Sequence, residues 1–435
     1  MNNFNSTKEH RLWLETQSTP PLGFSFGKTT FRFTPMELAK EFSMNLSLIA
    51  LEKPTKSFAG VFTRNAFPGA PVIVGRSRLK EESLGAIVIN NKISNVCAPG
   101  GVEDAEAICS ALSKHLSLSP KQVIPSSTGV IGWKLPVHPI VEHLGELCKS
   151  LQSDSIRPLA EGIMTTDLYP KVRREVVGKG SIVGVAKGAG MIEPNLATML
   201  VYILTDIEVA PEELREILNE AIKESFNSIS IDSDQSTSDT VLAVSSNQVP
   251  SIDKAAFRSA FQKVCKDLAQ DVVRNGEGVK HVIKVTCKGA PTIEIAKGVS
   301  KSIVNSPLVQ TAICGNDPNV GRVLMAIGKY LGNFHPEVST NSCEVTIGGV
   351  KIFEKGSFSL NTEKEQALAK HLKQAELYQT KAPDEKGRYH PAVDYPPHER
   401  CVEIEVALSA GQAHATVWGS DRTLEYISEN ADYRS

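Results

Sequence analysis

A glycine-rich stretch that runs directly into a dense apolar segment constrains this chain most. Residues 184–200 read Gly-Val-Ala-Lys-Gly-Ala-Gly-Met-Ile-Glu-Pro-Asn-Leu-Ala-Thr-Met-Leu, and the apolar run Met-Leu-Val-Tyr-Ile-Leu occupies 199–204. Glycines let a backbone adopt conformations that other residues avoid, whereas a short apolar run of this kind is typical of a buried strand. We therefore expect Thr198 at the point where a deformable loop becomes a rigid strand, directly after the small residue Ala197.

A threonine in this position has the setting of a nucleophile. Its hydroxyl is weak until a base takes the proton, and an N-terminal threonine uses its own α-amine for this purpose. An α-amine has a pKa of roughly 8, which suits a base near neutral pH. An internal threonine gains such an amine only if the bond between Ala197 and Thr198 is cut.

Two other interpretations of the stretch stay open on spacing alone. Gly-Ala-Gly loops before strands are commonly plain turns, and loop threonines commonly cap helices or face water. A phosphate-binding loop is the second alternative, but the pattern G-x-x-x-x-G-K-[ST] is missing, and Gly-Lys-Gly-Ser at 178–181 does not replace it.

Composition narrows the class of protein. The 435 residues predict one large domain or two to three smaller ones, and the net charge of −2 gives no sign of a nucleic-acid partner. Eight scattered cysteines without a C-x-x-C pair argue against a metal site or a disulfide framework. There is no apolar run of about 18 residues for a membrane span and no secretory signal. We expect a cytoplasmic protein without a membrane partner.

Periodicity and turn signals predict a chain of the α/β (α+β) class. Helices are expected at 34–42, 102–116, 138–151, 211–226, 251–274, 291–302, 323–331 and 362–377. Single strands are expected at 24–33, 46–51, 60–63, 71–75, 86–89, 122–125, 281–288 and 309–313. Hairpins are expected at 172–185, 344–353 and 402–418, whereas 1–20 and 379–400 are expected to be loose or exposed.

Polar segments elsewhere are candidates for a site. In Ser-Ser-Thr-Gly-Val-Ile-Gly at 126–132, backbone N–H groups and the Thr128 hydroxyl could face a developing oxyanion, although a plain turn is the alternative. The aspartate-rich segment 231–239 lacks the glycine and final glutamate of an EF-hand and is interpreted as a structural or site-lining loop. Glu277 lies between two glycines, which suits either a fixed carboxylate or a solvated charge.

Several of these segments, in order, resemble the ornithine acetyltransferase (glutamate N-acetyltransferase) family of arginine biosynthesis. The resemblance covers about residue 60 to the end, and the segment 186–200 is highly specific. The matching segments are 62–72, 127–132 (Ser-Thr-Gly-Val-Ile-Gly), 164–167 (Met-Thr-Thr-Asp), 186–200, 275–278 (Asn-Gly-Glu-Gly), 315–322 (Gly-Asn-Asp-Pro-Asn-Val-Gly-Arg) and 430–435 (Asn-Ala-Asp-Tyr-Arg-Ser).

The resemblance implies an αββα-type sandwich made by self-cleavage into two chains, 1–197 and 198–435, that stay together, with an α2β2 heterotetramer as the expected assembly. It implies that N-acetylornithine gives its acetyl group to the threonine, ornithine leaves, and glutamate takes the acetyl group. No cofactor is implied, although some family members also use acetyl-CoA as a donor.

Roles carry over to residues that match the family motifs. Thr198 would be the nucleophile and its freed amine the base, and Thr128 with Gly129 would form the oxyanion hole. A lysine and a carboxylate suit the two charges of an amino acid. The remaining substrate-contacting positions are Thr165 or Thr166, Lys187, Glu277, Asn430 and Ser435.

Some positions depart from the family pattern. Residues 91–95 read Asn-Lys-Ile-Ser-Asn where the family usually has Ser-Gly-Asn-Ala-Asn, the segment 231–239 carries Ser233 and Gln235, and Val320 replaces a usual tryptophan. The first sixty residues and 379–400 match poorly. These departures leave the substrate open, so a related self-processing amidase or aminopeptidase, and a scaffold that has lost activity, stand as alternatives.

Overall fold

Three β-sheets and twelve α-helices organise residues 2–193 and 199–431, which are the residues that the computed structural model describes. Ala197, Thr198 and Ser435 lie outside the described residues. Within these ranges, no helix is both long enough and apolar enough to cross a membrane.

The first sheet has four strands in the order β1-β2-β4-β5. Its outer face is covered by two helices whose apolar sides, including Leu112 and Leu144, pack on Leu46 and Val88 of the sheet. The strands are β1 (Phe24–Phe33), β2 (Phe42–Thr55), β4 (Leu84–Asn90) and β5 (Val123–Ser127), and the helices are α3 (Gly101–Leu116) and α4 (Val137–Lys149).

The second sheet has five strands in the order β3-β9-β8-β7-β6. Leu218 and Phe261 of its two covering helices pack on Val201 and Ile203 of the central strand. The strands are β3 (Phe58–Phe62), β6 (Lys171–Val177), β7 (Gly180–Lys187), β8 (Leu200–Ile207) and β9 (Thr240–Val249), and the helices are α6 (Pro211–Glu224) and α7 (Lys254–Arg274).

The inner faces of these two sheets pack against each other. Phe26, Ile49 and Ile87 of the first sheet share one buried cluster with Val185 and Tyr202 of the second, and all five side chains are fully buried. The layers therefore run helix, sheet, sheet, helix, which confirms the αββα sandwich.

A third sheet of six strands, in the order β13-β12-β11-β14-β10-β15, has a separate core against four helices. Its strands are β10 (Val282–Ala290), β11 (Glu344–Ile347), β12 (Val350–Glu354), β13 (Ser357–Phe358), β14 (Val402–Ala407) and β15 (Ala413–Ser420). Its helices are α8 (Ile293–Val304), α9 (Pro307–Cys314), α10 (Val320–Phe334) and α11 (Thr362–Ala375). The remaining helices are α1 (Thr7–Gln17), α2 (Ala70–Arg78), α5 (Arg157–Gly162) and α12 (Leu424–Ala431).

Two strand predictions are wrong because short apolar runs do not distinguish strands from buried helices. Residues 71–75 belong to α2 and residues 309–313 to α9. Each helix has a proline in its first turn, where the missing N–H has no helical partner to lose. In α9, the Ser306 hydroxyl also accepts the Val309 N–H and caps the helix.

The helix predicted at 34–42 is absent from the described structure, because Glu37 of its supposed capping box instead accepts the N–H of Lys134. Strands β14 and β15 do not form the predicted hairpin. Strand β10 lies between them, parallel to β14 and antiparallel to β15. Residues 1–20 are also not loose: α1 is anchored to the 379–400 segment, where the Phe4 N–H donates to the Pro397 carbonyl.

Candidate active site

One cavity of about 310 Å³ brings together the predicted site residues that the structure describes. They come from loops on both sheets and from the last helix, although they are far apart in the sequence. They are Thr128, Gly129, Thr165, Thr166, Lys187, Glu277 and Asn430. Thr198 and Ser435 lie outside the described residues, so their roles stay predictions.

The Thr128–Gly129 pair follows directly after β5 and presents donors to the cavity. Gly129 has a φ of +128°, and a Cβ there would lie 2.1 Å from the backbone carbon of Lys92, so only glycine fits. The N–H of Val130 donates to the Lys92 carbonyl at 2.8 Å and fixes the turn. No described residue accepts a hydrogen bond from the Gly129 N–H or the Thr128 hydroxyl, and both residues line the cavity.

The segment 91–95, which departs from the family pattern, supports this turn. Its Asn91 side chain accepts the N–H of Asn45 at 2.8 Å and donates to the Met164 carbonyl at 3.0 Å. Ser94 lines the cavity and donates its hydroxyl to the Val130 carbonyl at 2.8 Å. Ser94, one of the residues that depart from the family pattern, therefore holds the turn at 128–130 in place.

Glu277 is the fixed anionic centre of the cavity. One carboxylate oxygen accepts the Thr166 hydroxyl at 2.7 Å and the other accepts the side-chain amide of Asn430 at 2.8 Å. Burial raises the pKa of Glu277 above its ordinary value, although these two hydrogen bonds and the nearby Lys187 act in the opposite direction. A Cβ at Gly190 would lie 2.2 Å from the carboxylate, so this glycine makes room for it.

Lys187 is the last residue of β7 and supplies the positive charge. It pairs with Leu200, the first residue of β8, in the antiparallel ladder. Its ammonium forms no ion pair with any residue in the described ranges, and it lines the same cavity as Glu277. Among the described residues that line the cavity there are one lysine and one glutamate, which suits a ligand with charges of both signs.

Two buried aspartates, which the sequence analysis did not predict as site residues, hold the loop at 188–192 in place. Asp167 accepts the N–H of Gly188 at 2.9 Å, and Asp232 accepts the N–H groups of Met191 and Ile192, each at 2.7 Å. Asp232 belongs to the segment 231–239, whose Ser236, Thr237 and Ser238 line the cavity. Three residues of that segment therefore line the cavity, and its part in a substrate site stays a prediction.

Glu193 is the last described residue before 194–198, and it is also anchored. Its carboxylate pairs with Lys301 at 3.1 Å and accepts the Ser230 hydroxyl at 2.9 Å and the Asn305 side-chain amide. Lys301 belongs to α8, so this end of the loop is fastened to the domain of the third sheet.

A second cavity of about 510 Å³ adjoins the first and shares Gly129, Val130, Thr165 and Thr166 with it. Lys92 and residues 388–390 of the poorly matching 379–400 segment also line it. The two cavities therefore share part of their walls.

The αββα sandwich and the polar cavity define an enzyme that handles small charged molecules, and comparison with known proteins identifies the family. The ArgJ family model matches residues 32–435. The chain is 37% identical over 395 residues to arginine biosynthesis bifunctional protein ArgJ 2 of Clostridium acetobutylicum, covering 91% of this chain and 94% of that protein. It is 37% identical over 411 residues to the ArgJ protein of Zymomonas mobilis, covering 91% and 92%.

The chain belongs to the ArgJ family. The predicted enzyme class, an acyltransferase of arginine biosynthesis, is confirmed with that membership.

Two solved structures are also similar. The crystal structure of arginine biosynthesis bifunctional protein argJ from Bacillus halodurans is 32% identical, with a TM-score of 0.45, and covers 54% of this chain and 99% of that chain. The structure of ornithine acetyltransferase complexed with ornithine from Mycobacterium tuberculosis is 28% identical, with a TM-score of 0.35, covering 41% and 95%.

Proposed function

We propose that this enzyme transfers the acetyl group of N-acetylornithine to glutamate through an acetyl ester on Thr198. The observation that carries the proposal is the cavity in which Lys187, the fixed carboxylate of Glu277 and the donors of Thr128 and Gly129 meet. Arginine biosynthesis is the stated role of the relatives described above.

We propose that self-cleavage creates the nucleophile. The Thr198 hydroxyl attacks the Ala197 carbonyl, and the amide bond between the two residues breaks as an ester forms, which frees the α-amine of Thr198. Water then hydrolyses the ester and releases the Ala197 carboxylate and the Thr198 hydroxyl. The pairing of β7 with β8 supports this step, because both strands flank the 188–199 connection and are hydrogen-bonded to each other. Chains 1–197 and 198–435 would then stay joined through this ladder and the shared core.

In the first half of the reaction, the α-amine takes the proton of the Thr198 hydroxyl as the oxygen attacks the acetyl carbonyl. The Thr128 hydroxyl and the Gly129 N–H donate to the oxyanion, and removal of one such donor typically lowers kcat by about 100- to 1000-fold. The amide bond then breaks, the proton passes to the leaving nitrogen, and ornithine departs. In the second half, the amine of glutamate attacks the acetyl-threonine ester, and the ester bond breaks. The Thr198 oxygen regains a proton from the attacking amine, and N-acetylglutamate leaves.

Charge complementarity supports the choice of substrate. The ammonium of Lys187 can bind the α-carboxylate of either amino acid, and Glu277 can bind the side-chain ammonium of ornithine. Thr166 and Asn430 each donate to Glu277, so its carboxylate is oriented before the substrate arrives, which lowers the entropy lost on binding.

We further propose that the enzyme works in the cytoplasm, as an α2β2 assembly of the cleaved chains, without a bound cofactor, and that it accepts acetyl-CoA as a second donor. All eight cysteines are unpaired thiols, which supports a reducing compartment.

The test is an assay with N-acetylornithine labelled in the acetyl group, with and without glutamate, followed by mass spectrometry of products and protein. We expect equimolar ornithine and labelled N-acetylglutamate with glutamate present. Without glutamate, we expect about one acetyl group per active site on the Thr198 peptide. Free acetate at the same rate in both conditions would identify an amidase instead, and no turnover at all would identify an inactive scaffold.

A further inference from the structure

The ion pair between Asp167 and Lys171 is fully buried beside the cavity, and the proposed mechanism does not use it. The two side chains are 0% and 1% exposed. A buried ion pair is often no more stabilising than apolar side chains of the same size, because both charges lose their hydration. Stability alone therefore does not explain why the pair is present, and its other hydrogen bonds become relevant.

Those hydrogen bonds connect two loops that carry predicted substrate contacts. One carboxylate oxygen of Asp167 accepts the N–H of Gly188 at 2.9 Å, next to Lys187. The other accepts the N–H of Thr165 at 3.0 Å, and Thr165 precedes Thr166, which donates to Glu277. Asp167 therefore touches the backbone on both the lysine side and the carboxylate side of the cavity.

We propose that Asp167 is a positioning residue that sets the separation between Lys187 and the Thr166–Glu277 pair, and thereby the length of the amino acid that the cavity accepts. The inference rests on the proposed function, because it assigns Lys187 and Glu277 to the two charged ends of one substrate.

Lys171 has a supporting part in this arrangement. Burial opposes ionisation of Asp167, but the ammonium groups of Lys171 and Lys187 outweigh it and hold the pKa of the carboxyl at about 2. Each oxygen of the ionised Asp167 carboxylate can accept a hydrogen bond, as the N–H groups of Thr165 and Gly188 require. An asparagine of the same size would turn an NH₂ donor toward one of these N–H groups and lose that contact.

The experiment separates positioning from simple stabilisation with two variants. Asp167→Asn leaves the Lys171 ammonium buried without its partner, so a lower Tm is expected. Asp167→Asn/Lys171→Met removes that charge, and we expect its Tm to recover toward wild type. If Asp167 positions the loops, the double variant still has a KM for N-acetylornithine, and a Kd for ornithine by calorimetry, raised about tenfold, with kcat changed much less.

Asp271→Asn is the matched control. Asp271 also pairs with a partly buried base on β6, Arg173, through two hydrogen bonds, but it accepts none from the described residues that line the cavity. We expect this variant to lose stability with no change in KM or Kd.

A double variant of Asp167 and Lys171 that recovers Tm, KM and Kd together would overturn the proposal, because the pair would then be only structural. The calorimetric measurement does not depend on turnover. A wild-type enzyme that binds ornithine without transferring acetyl groups would therefore refute the proposed function and still let the variants decide the role of Asp167.

Discussion

Lys187 lies directly opposite Leu200 in the antiparallel pairing of β7 and β8. The charged end of one strand and the start of the next are therefore neighbours, and the connection 188–199 begins and ends at the same edge of the sheet. Asp167, Asp232 and Glu193 fasten the described part of this connection. A cut within it would leave both new ends attached to strands that are already hydrogen-bonded.

Substitution of Lys187 by methionine is expected to weaken substrate binding without unfolding the protein. The ammonium forms no ion pair with an acidic residue in the described ranges but helps to keep Asp167 ionised, so the variant is expected to lose some stability and to stay folded. A charge-assisted hydrogen bond to a carboxylate contributes about 1.5–3 kcal/mol, which predicts a rise of about 10- to 100-fold in KM for N-acetylornithine. Lys179→Met, an exposed lysine in the turn between β6 and β7, is the control. Steady-state kinetics gives KM for both variants. Equal KM values for Lys187→Met and Lys179→Met would contradict the assignment of Lys187 as a substrate contact.

Ornithine binding is expected to weaken at acidic pH because Glu277 must be ionised to hold an ammonium group. Burial raises the pKa of this carboxyl above the ordinary 4.5, so the affinity should fall as pH drops through a value higher than that of an exposed glutamate. Because burial disfavours the ionised form of Glu277, ionisation of this carboxyl destabilises the folded protein. The free energy of unfolding therefore decreases as pH rises through the pKa of Glu277.

Calorimetric titration of ornithine across the acidic range tests this prediction. Glu277→Gln should bind ornithine weakly at every pH and lose the pH dependence. A wild-type affinity that stays constant down to pH 4 would show that the carboxylate does not contact the ligand.

Gly129→Ala is expected to lower kcat by about 100-fold or more, because its Cβ would meet the backbone of Lys92 and displace the Gly129 N–H from the oxyanion. Gly132→Ala is the matched control in the same loop. Its φ of +87° is also positive, but a Cβ there would meet no atom within 4 Å. This control should lose only the roughly 1–3 kcal/mol of stability that a strained backbone costs. Thermal unfolding and kcat are measured for both variants. Equal kcat values for Gly129→Ala and Gly132→Ala would exclude the Gly129 N–H as an oxyanion donor.

Asp232→Asn is expected to slow self-cleavage, because the amide cannot accept both the Met191 and the Ile192 N–H groups that lead to the predicted cleavage site. Burial raises the pKa of Asp232, so wild-type cleavage should also slow at acidic pH as the carboxyl gains a proton. Asp234→Asn changes an exposed carboxylate two residues away and serves as the control. The time course of chain cleavage on gels provides the measurement, and equal rates for the two variants would contradict this role.

Sequence patterns predicted the long amphipathic helices α3, α4, α6 and α7, because a regular apolar face needs no knowledge of its partner. They failed for α2 and α9, where the apolar run is too short for its periodicity to distinguish a helix from a strand. They also failed for β14 and β15, because only the fold determines that β10 inserts between two strands that are consecutive in the chain.

At the site, the family resemblance identified residues that the fold brings to one cavity, including Thr128, Lys187 and Glu277. It did not identify Asp167 or Asp232 as site residues. The hydrogen bonds that place them at the site come from backbone N–H groups, which every residue except proline carries and which leave no mark in a side-chain pattern. The aspartate-rich composition of 231–239 was the only signal for Asp232, and sequence alone could not say what those carboxylates bind.

Denaturing mass spectrometry of the purified wild type and of Thr198→Ala shows whether the chain is cut before Thr198. We expect two wild-type fragments, 1–197 and 198–435, with a free amine on Thr198. We expect a single intact chain for the variant, which should also lack acetyl transfer. A wild-type chain that is intact yet active, or a variant that is still cut between residues 197 and 198, would contradict the claim that Thr198 makes its own base.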